Sequence, residues 1–153
     1  MNKTSNSDNT CLNESDVPLT LESQVCFPLY SAANAIVRAY RPILEKIDLT
    51  YLQYLVMIVL WEESGISVKT LGDKLHLDSG TLTPLLKRLE SKALVERKRS
   101  VTDERVRVLQ LTKEGIELRK QAQSVPGSIA CRFNLSLDEL LTLKMLCEKI
   151  LAQ

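Results

Sequence analysis

The sequence predicts a mainly α-helical fold with one small β-hairpin. Three observations predict it: long stretches of apolar residues at helical spacing toward both ends, two short helices joined by a tight polar turn in the middle, and two alternating segments directly after them. At 153 residues, 44% of them hydrophobic, the chain can build one domain with a real core, or a small lobe plus an association surface.

Residues 1–18 read as a flexible arm rich in Asn, Ser and Asp, and 19–153 as the folded part. Thr20 is a fair helix cap, and from Leu21 to Ile47 apolar residues (Val25, Leu29, Ala33, Ile36, Tyr40, Ile43, Leu44) recur at helical spacing. Pro28 must sit in a first turn or bend this helix, and Pro42 should kink it. Asp48 and Thr50 can cap a second helix over 51–63 that is apolar almost all round and should be buried. Gly65 closes it, and Ser67 caps a short helix from Val68 to Leu75. Leu77-Asp78-Ser79-Gly80 makes a turn, and a further helix starting near Ser79 runs to about Lys92. These two form a helix-turn-helix.

Leu94–Lys98 and Val106–Leu111 alternate as strands around the polar loop 100–104, which makes the hairpin a wing. Thr112 caps a helix running toward Val125, where Pro126-Gly127 interrupt the pattern, and a last helix spans Ser136–Leu151. The predicted fold is therefore a winged helix-turn-helix with a lobe over 51–112, flanked by long terminal helices over 19–47 and 113–153. Those helices need a partner for their apolar faces, and a second copy of the chain giving a C₂ homodimer is the most economical one.

Charge distribution points to what the lobe touches. The net charge is only +1, but Pro84–Arg107 holds eight cations (Lys87, Arg88, Lys92, Arg97, Lys98, Arg99, Arg105, Arg107) against four anions. Such a stripe suits a phosphate surface, though a basic run alone is more often just a solvated face. On the second helix of the motif the leucines line one stripe, leaving Ser79, Thr81, Thr83, Pro84, Lys87 and Arg88 on the rest. Small hydroxyl residues at its start can approach base edges, and the Lys-Arg pair can clamp the backbone of double-stranded DNA. In the wing loop Asp103 can orient Arg105 for a narrow minor groove, although most such pairs are simple surface ion pairs. Arg97, on the first wing strand, belongs to the same expected DNA-contacting set.

Other partners are expected to be few. The longest apolar stretch, Tyr54–Trp61, has eight residues, far short of the roughly 20 that cross a bilayer, so no membrane partner is expected and the chain should stay in the cytoplasm. Cys11, Cys26, Cys131 and Cys147 are widely separated and the only histidine is His76, so neither a disulfide framework nor a metal site nor any cofactor is called for. Nothing marks an enzyme.

Asp103-Glu104-Arg105 followed by Leu111-Thr112-Lys113-Glu114-Gly115 resembles the wing-to-helix signature of the MarR family of winged-helix repressors. More narrowly, Cys26-Phe27-Pro28-Leu29-Tyr30-Ser31, Leu49-Thr50-Tyr51-Leu52-Gln53-Tyr54 and the block Leu77–Leu89 resemble the organic hydroperoxide resistance regulators, the OhrR subgroup, in its two-cysteine form. The similarity runs from about Leu21 to the C-terminus, and Pro28 departs from it where the subgroup usually has Ala.

A sensing thiol must be partly thiolate near neutral pH, and Cys26 would face unpaired N–H groups if a helical turn starts there; a free Cys is otherwise usually a small buried hydrophobe. Tyr30 is one turn away, while Tyr40, 14 residues on, is about 21 Å along a straight helix and can meet Cys26 only across a dimer. The resemblance implies that Tyr40 and Tyr51, with Tyr30 as a lesser candidate, support the reactive thiol from the partner subunit. It also implies that an organic hydroperoxide oxidises Cys26, that Cys131 closes an inter-subunit disulfide, and that a repressor then leaves a pseudo-palindromic operator. The alternative is a repressor of the same fold released by a small aromatic ligand without thiol chemistry.

Overall fold

The computed structural model describes residues 18–99, 106–130 and 132–152. The arm 1–17, the wing-loop residues Asp103, Glu104 and Arg105, and Cys131 lie outside the described residues. The chain divides into two units, residues 1–36 and 37–153.

In the first unit, Ser23 Oγ donates to the carbonyl oxygens of Pro18 and Thr20, which closes a turn. The expected helix start at Leu21 is thereby corrected, because Thr20 serves this turn and helix α1 begins only at Cys26 (Cys26–Leu44). That start puts Pro28 in the first turn, where a missing N–H breaks no intrahelical bond. Leu19, Leu21, Val25 and Tyr30 are exposed.

The second unit holds the rest. α1 ends two residues after Pro42, and a 3-10 turn (Glu45–Ile47) follows. Helix α2 (Tyr51–Glu62) starts in a reciprocal capping box: the Thr50 side chain accepts from Gln53 N, and Thr50 N donates to Gln53 Oε1. As its sequence predicts, α2 is buried: Tyr54, Val56, Met57 and Leu60 are closed off and α3, α4, α5 and the sheet pack around it. Strand β1 (Ile66–Ser67) precedes helix α3 (Val68–Leu75), which Ser67 caps through Thr70 N. Helix α4 (Ser79–Ser91) is capped by Asp78.

Ala93, in the link from α4 to strand β2 (Val95–Arg99), takes a left-handed φ of 55°. β2 pairs antiparallel with strand β3 (Arg107–Leu111), matching Val95 to Leu111, Arg97 to Leu109 and Arg99 to Arg107. β1 adds to the other side of β3, Ile66 against Leu109, giving the order β1-β3-β2. This third strand is an addition to the two expected, since two residues are too few to show alternation.

Thr112 caps helix α5 (Lys113–Ala122) through Gly115 N. The helix stops at Ala122, earlier than expected, and Pro126-Gly127 fall inside a separate short helix α6 (Val125–Ala130), with Pro126 in its first turn. Helix α7 (Leu137–Leu151) opens on a Ser136/Glu139 capping box, and none of its residues is buried.

One close approach fixes α5 on the lobe. A Cβ on Gly115 would lie 2.1 Å from the backbone oxygen of Leu94, and the Gly115 carbonyl accepts a 2.8 Å bond from Trp61 Nε1. Gly115→Ala must therefore push α5 off the sheet. We expect a loss of about 1–3 kcal/mol in chemical denaturation and a red shift in the emission of Trp61, the only tryptophan; unchanged stability would contradict the contact.

Candidate DNA interface and thiol site

The start of α4 is organised by Asp78. Its carboxylate accepts 2.8 Å from Thr81 N and 3.0 Å from Thr81 Oγ1, and these bonds hold its pKa below the usual carboxylate range. Thr83 Oγ1 donates 2.7 Å to the Ser79 carbonyl. Both threonine protons are thus spent inside the helix, so outward the hydroxyls offer lone pairs, the complement of base amino groups. Pro84, inside the helix, has no N–H, which leaves the Gly80 carbonyl without its i+4 donor and adds another acceptor to this end.

Leu82, Leu85, Leu86 and Leu89 are buried, while Ser79, Thr83, Pro84, Lys87 and Arg88 are exposed and Thr81 is half-buried. Among the described residues neither Lys87 nor Arg88 has an acidic partner. The structure therefore brings the expected helix residues onto one polar surface. It also shows a pair that the sequence reading did not single out: Arg99 and Arg107 stand opposite one another at the outer end of the β2–β3 ladder. Like charges in that register repel, a cost that a phosphate between them would relieve. Arg97, two residues in from Arg99 on the same face, lies against α4, with Nε 3.1 Å from Glu90 Oε1.

Within the second unit, Tyr40 and Tyr51 come together, ring centroids 4.8 Å apart at 49°. Tyr54, assigned no site role from sequence, joins them 6.0 Å from Tyr40. Its spacing of three from Tyr51 was the available signal. Burial pushes all three phenols above the ordinary tyrosine pKa, and their mutual repulsion when ionised raises Tyr40 and Tyr54 further. Beside Tyr51 lies a cleft of about 460 Å³ that also involves Val37, Arg38, Arg41, Leu49 and Lys92. Lys92 and Arg41 are paired there with Asp48 and Glu45. Arg38 has no carboxylate partner among the described residues.

In the first unit, Cys26 is the opening residue of α1 and its thiol is exposed and free. Tyr30, one turn on, is 68% exposed, so it has open access to whatever approaches that face.

Residues 38–121 match the family described as transcriptional regulator SarA/Rot. The chain is 44% identical over 126 residues, 82% of its length and 86% of the relative's, to the organic hydroperoxide resistance transcriptional regulator of Bacillus subtilis. It is similar to reduced AbfR bound to DNA, with 34% identity, a TM-score of 0.71, and coverage of 85% of this chain and 89% of that one. It is also similar to disulfide-formed AbfR, with 37% identity, a TM-score of 0.60, and coverage of 83% and 92%. AbfR is a protein of Staphylococcus epidermidis.

The tyrosine cluster makes a prediction about alkaline pH. Its phenols are held neutral by the fold, so their contribution to stability is complete below an unfolded-chain pKa near 10 and is lost as pH rises beyond it. Phenolate absorbance should show a class of tyrosines titrating above 10, diminished in Tyr40→Phe and Tyr51→Phe; titration of every tyrosine at the free value would contradict their burial.

Proposed function

The chain belongs to the MarR/SarA family of winged-helix, DNA-binding transcription regulators, and on that premise we propose that it is a homodimeric repressor released from its operator by organic hydroperoxides through Cys26 and Cys131. The supporting observation for DNA reading is the exposed surface of α4, with acceptor hydroxyls at its start and, one turn on, cations without an acidic partner among the described residues. Ser79, Thr81, Thr83 and Pro84 lie against base edges in the major groove, Lys87 and Arg88 hold phosphates, and Arg105, oriented by Asp103, reaches the minor groove.

Dimerisation supplies the second half-site. α7 leaves Leu141, Met145, Leu146 and Ile150 exposed, and α1 separately leaves Phe27 and Leu29 exposed, and a second copy covers each of these apolar faces. The two recognition helices then stand about 34 Å apart, one turn of duplex.

The Tyr40–Tyr51 pair supports the sensing half. Phenols kept neutral are hydrogen-bond donors, and across an antiparallel pairing of α1 helices they face Cys26 of the partner subunit, with Tyr30 flanking it. The Cys26 thiolate attacks the peroxide O–O bond, takes one oxygen as a sulfenic acid, and the other leaves as an alcohol after gaining a proton. The Cys131 thiol of the opposite subunit attacks that sulfur, a disulfide forms and water leaves. The winged lobes shift and the half-site spacing no longer fits. Relatives support this reading: one is a regulator of organic hydroperoxide resistance, and AbfR has both a reduced, DNA-bound and a disulfide form. The cleft beside Tyr51, with an Arg38 that has no carboxylate partner among the described residues, favours a second reading in which a small aromatic ligand releases the DNA.

The test is a titration of a duplex selected by the reduced protein from a randomised pool, before and after one equivalent of an organic hydroperoxide, for wild type, Cys26→Ser and Cys131→Ser. We expect oxidised wild type to lose the duplex, Cys26→Ser to stay bound, and a non-reducing gel to show a covalent dimer that Cys131→Ser lacks. Wild type still bound after oxidation would sink the thiol switch and leave the ligand-released repressor.

A further inference from the structure

Arg97 differs from the other cations of the basic stripe in what surrounds it. It stands opposite Leu109 in the β2–β3 register, and neighbours across a ladder project to the same face. Leu109 is fully buried, so that face is the inner one, against α4. The Arg97 side chain is 28% exposed and that of Glu90, its partner at 3.1 Å, is 30% exposed. Nε and Nη2 of Arg97 are closed to solvent and make no hydrogen bond among the described residues. The charge is therefore balanced by a single carboxylate, on the last turn of the recognition helix.

We propose that Arg97 is a positioning residue: gripped by Glu90, it sets the angle of the wing on α4 and makes no contact with DNA. Reading a half-site needs α4 in the major groove and the wing over the neighbouring groove together, so the angle between the two elements is part of the specificity. The backbone link between them is short and holds the base of the hairpin, with Ala93 N donating to the Glu90 carbonyl and Leu94 N to the Leu89 carbonyl, and the Arg97–Glu90 pair is the tie beyond that base. Removing Glu90 strands a poorly solvated guanidinium, which must turn outward and carry β2 with it.

Two physical signatures separate this role from a phosphate contact. A lost phosphate contact lowers the salt slope of binding by about 1 and weakens all duplexes alike. Removal of an anion such as Glu90, if electrostatics alone mattered, would tighten binding. A positioning pair does neither.

The experiment measures binding across a salt series to the selected duplex and to one of unrelated sequence, for Glu90→Gln, Arg97→Gln, Arg97→Lys and the swapped double variant Glu90→Arg/Arg97→Glu. We expect both glutamine variants to lose about tenfold on the selected duplex, with an unchanged salt slope and unchanged binding to the unrelated one. The swapped variant recovers most of the loss. Arg97→Lys keeps the charge but cannot place it at the same point beside Glu90, so it is weakened as well, and it serves if Arg97→Gln melts below the assay temperature. A reduced slope in Arg97→Gln, tighter binding by Glu90→Gln, or full affinity in Arg97→Lys would overturn the proposal.

Discussion

Helix α2 has almost no polar face to give to water, and the lobe is arranged around that constraint. Tyr54, Val56, Met57 and Leu60 are all closed off, so α3, α4, α5 and the sheet each have to supply a wall. Two of the polar groups it carries are used: Gln53 closes the capping box at its start and Trp61 donates to α5 near its end. With the leucines of α4 committed to this centre, its hydroxyls and cations have no direction left but outward. The outward polar surface of α4 follows from the burial of a neighbouring helix.

The parts of this arrangement legible in the sequence are those that local chemistry decides. Thr50, Ser67 and Thr112 cap helices where their side chains lead one to expect, and the leucine spacing of α4 gives its inner face directly. The departures occur where a distant partner or a competing local bond decides. Ser23 takes the turn that Thr20 would have opened as a helix, β1 exists only because β3 lies beside it, and α5 ends at Ala122 before Pro126 is reached.

Site residues divide in the same way. Composition marks Arg97 as one more cation in a basic run, because charge is written in the sequence but direction is not. Direction comes from register, and register places it opposite a buried leucine rather than a solvated neighbour. Tyr40 and Tyr51 meet because the turn between α1 and α2 folds one helix back on the other, an event that spacing along a single helix could not express. The exposed apolar residues of α7, by contrast, are plain in both descriptions: a periodic stripe in the sequence and an uncovered face in the fold.

Ala93 carries a consequence for timing. A glycine in its left-handed link between α4 and β2 would have many conformations of similar energy, whereas alanine has few, and the single well it occupies costs about 1–2 kcal/mol. The link is a stiff elbow, not a loose one. Where helix and wing both hold a duplex, as proposed, a stiff elbow keeps them from letting go one after the other, so departure passes through a state in which both grips are broken at once. The lifetime of the complex is then set by the product of two unlikely events rather than by the weaker of two contacts, and a change that springs the whole lobe has more effect on that lifetime than one that loosens either grip alone.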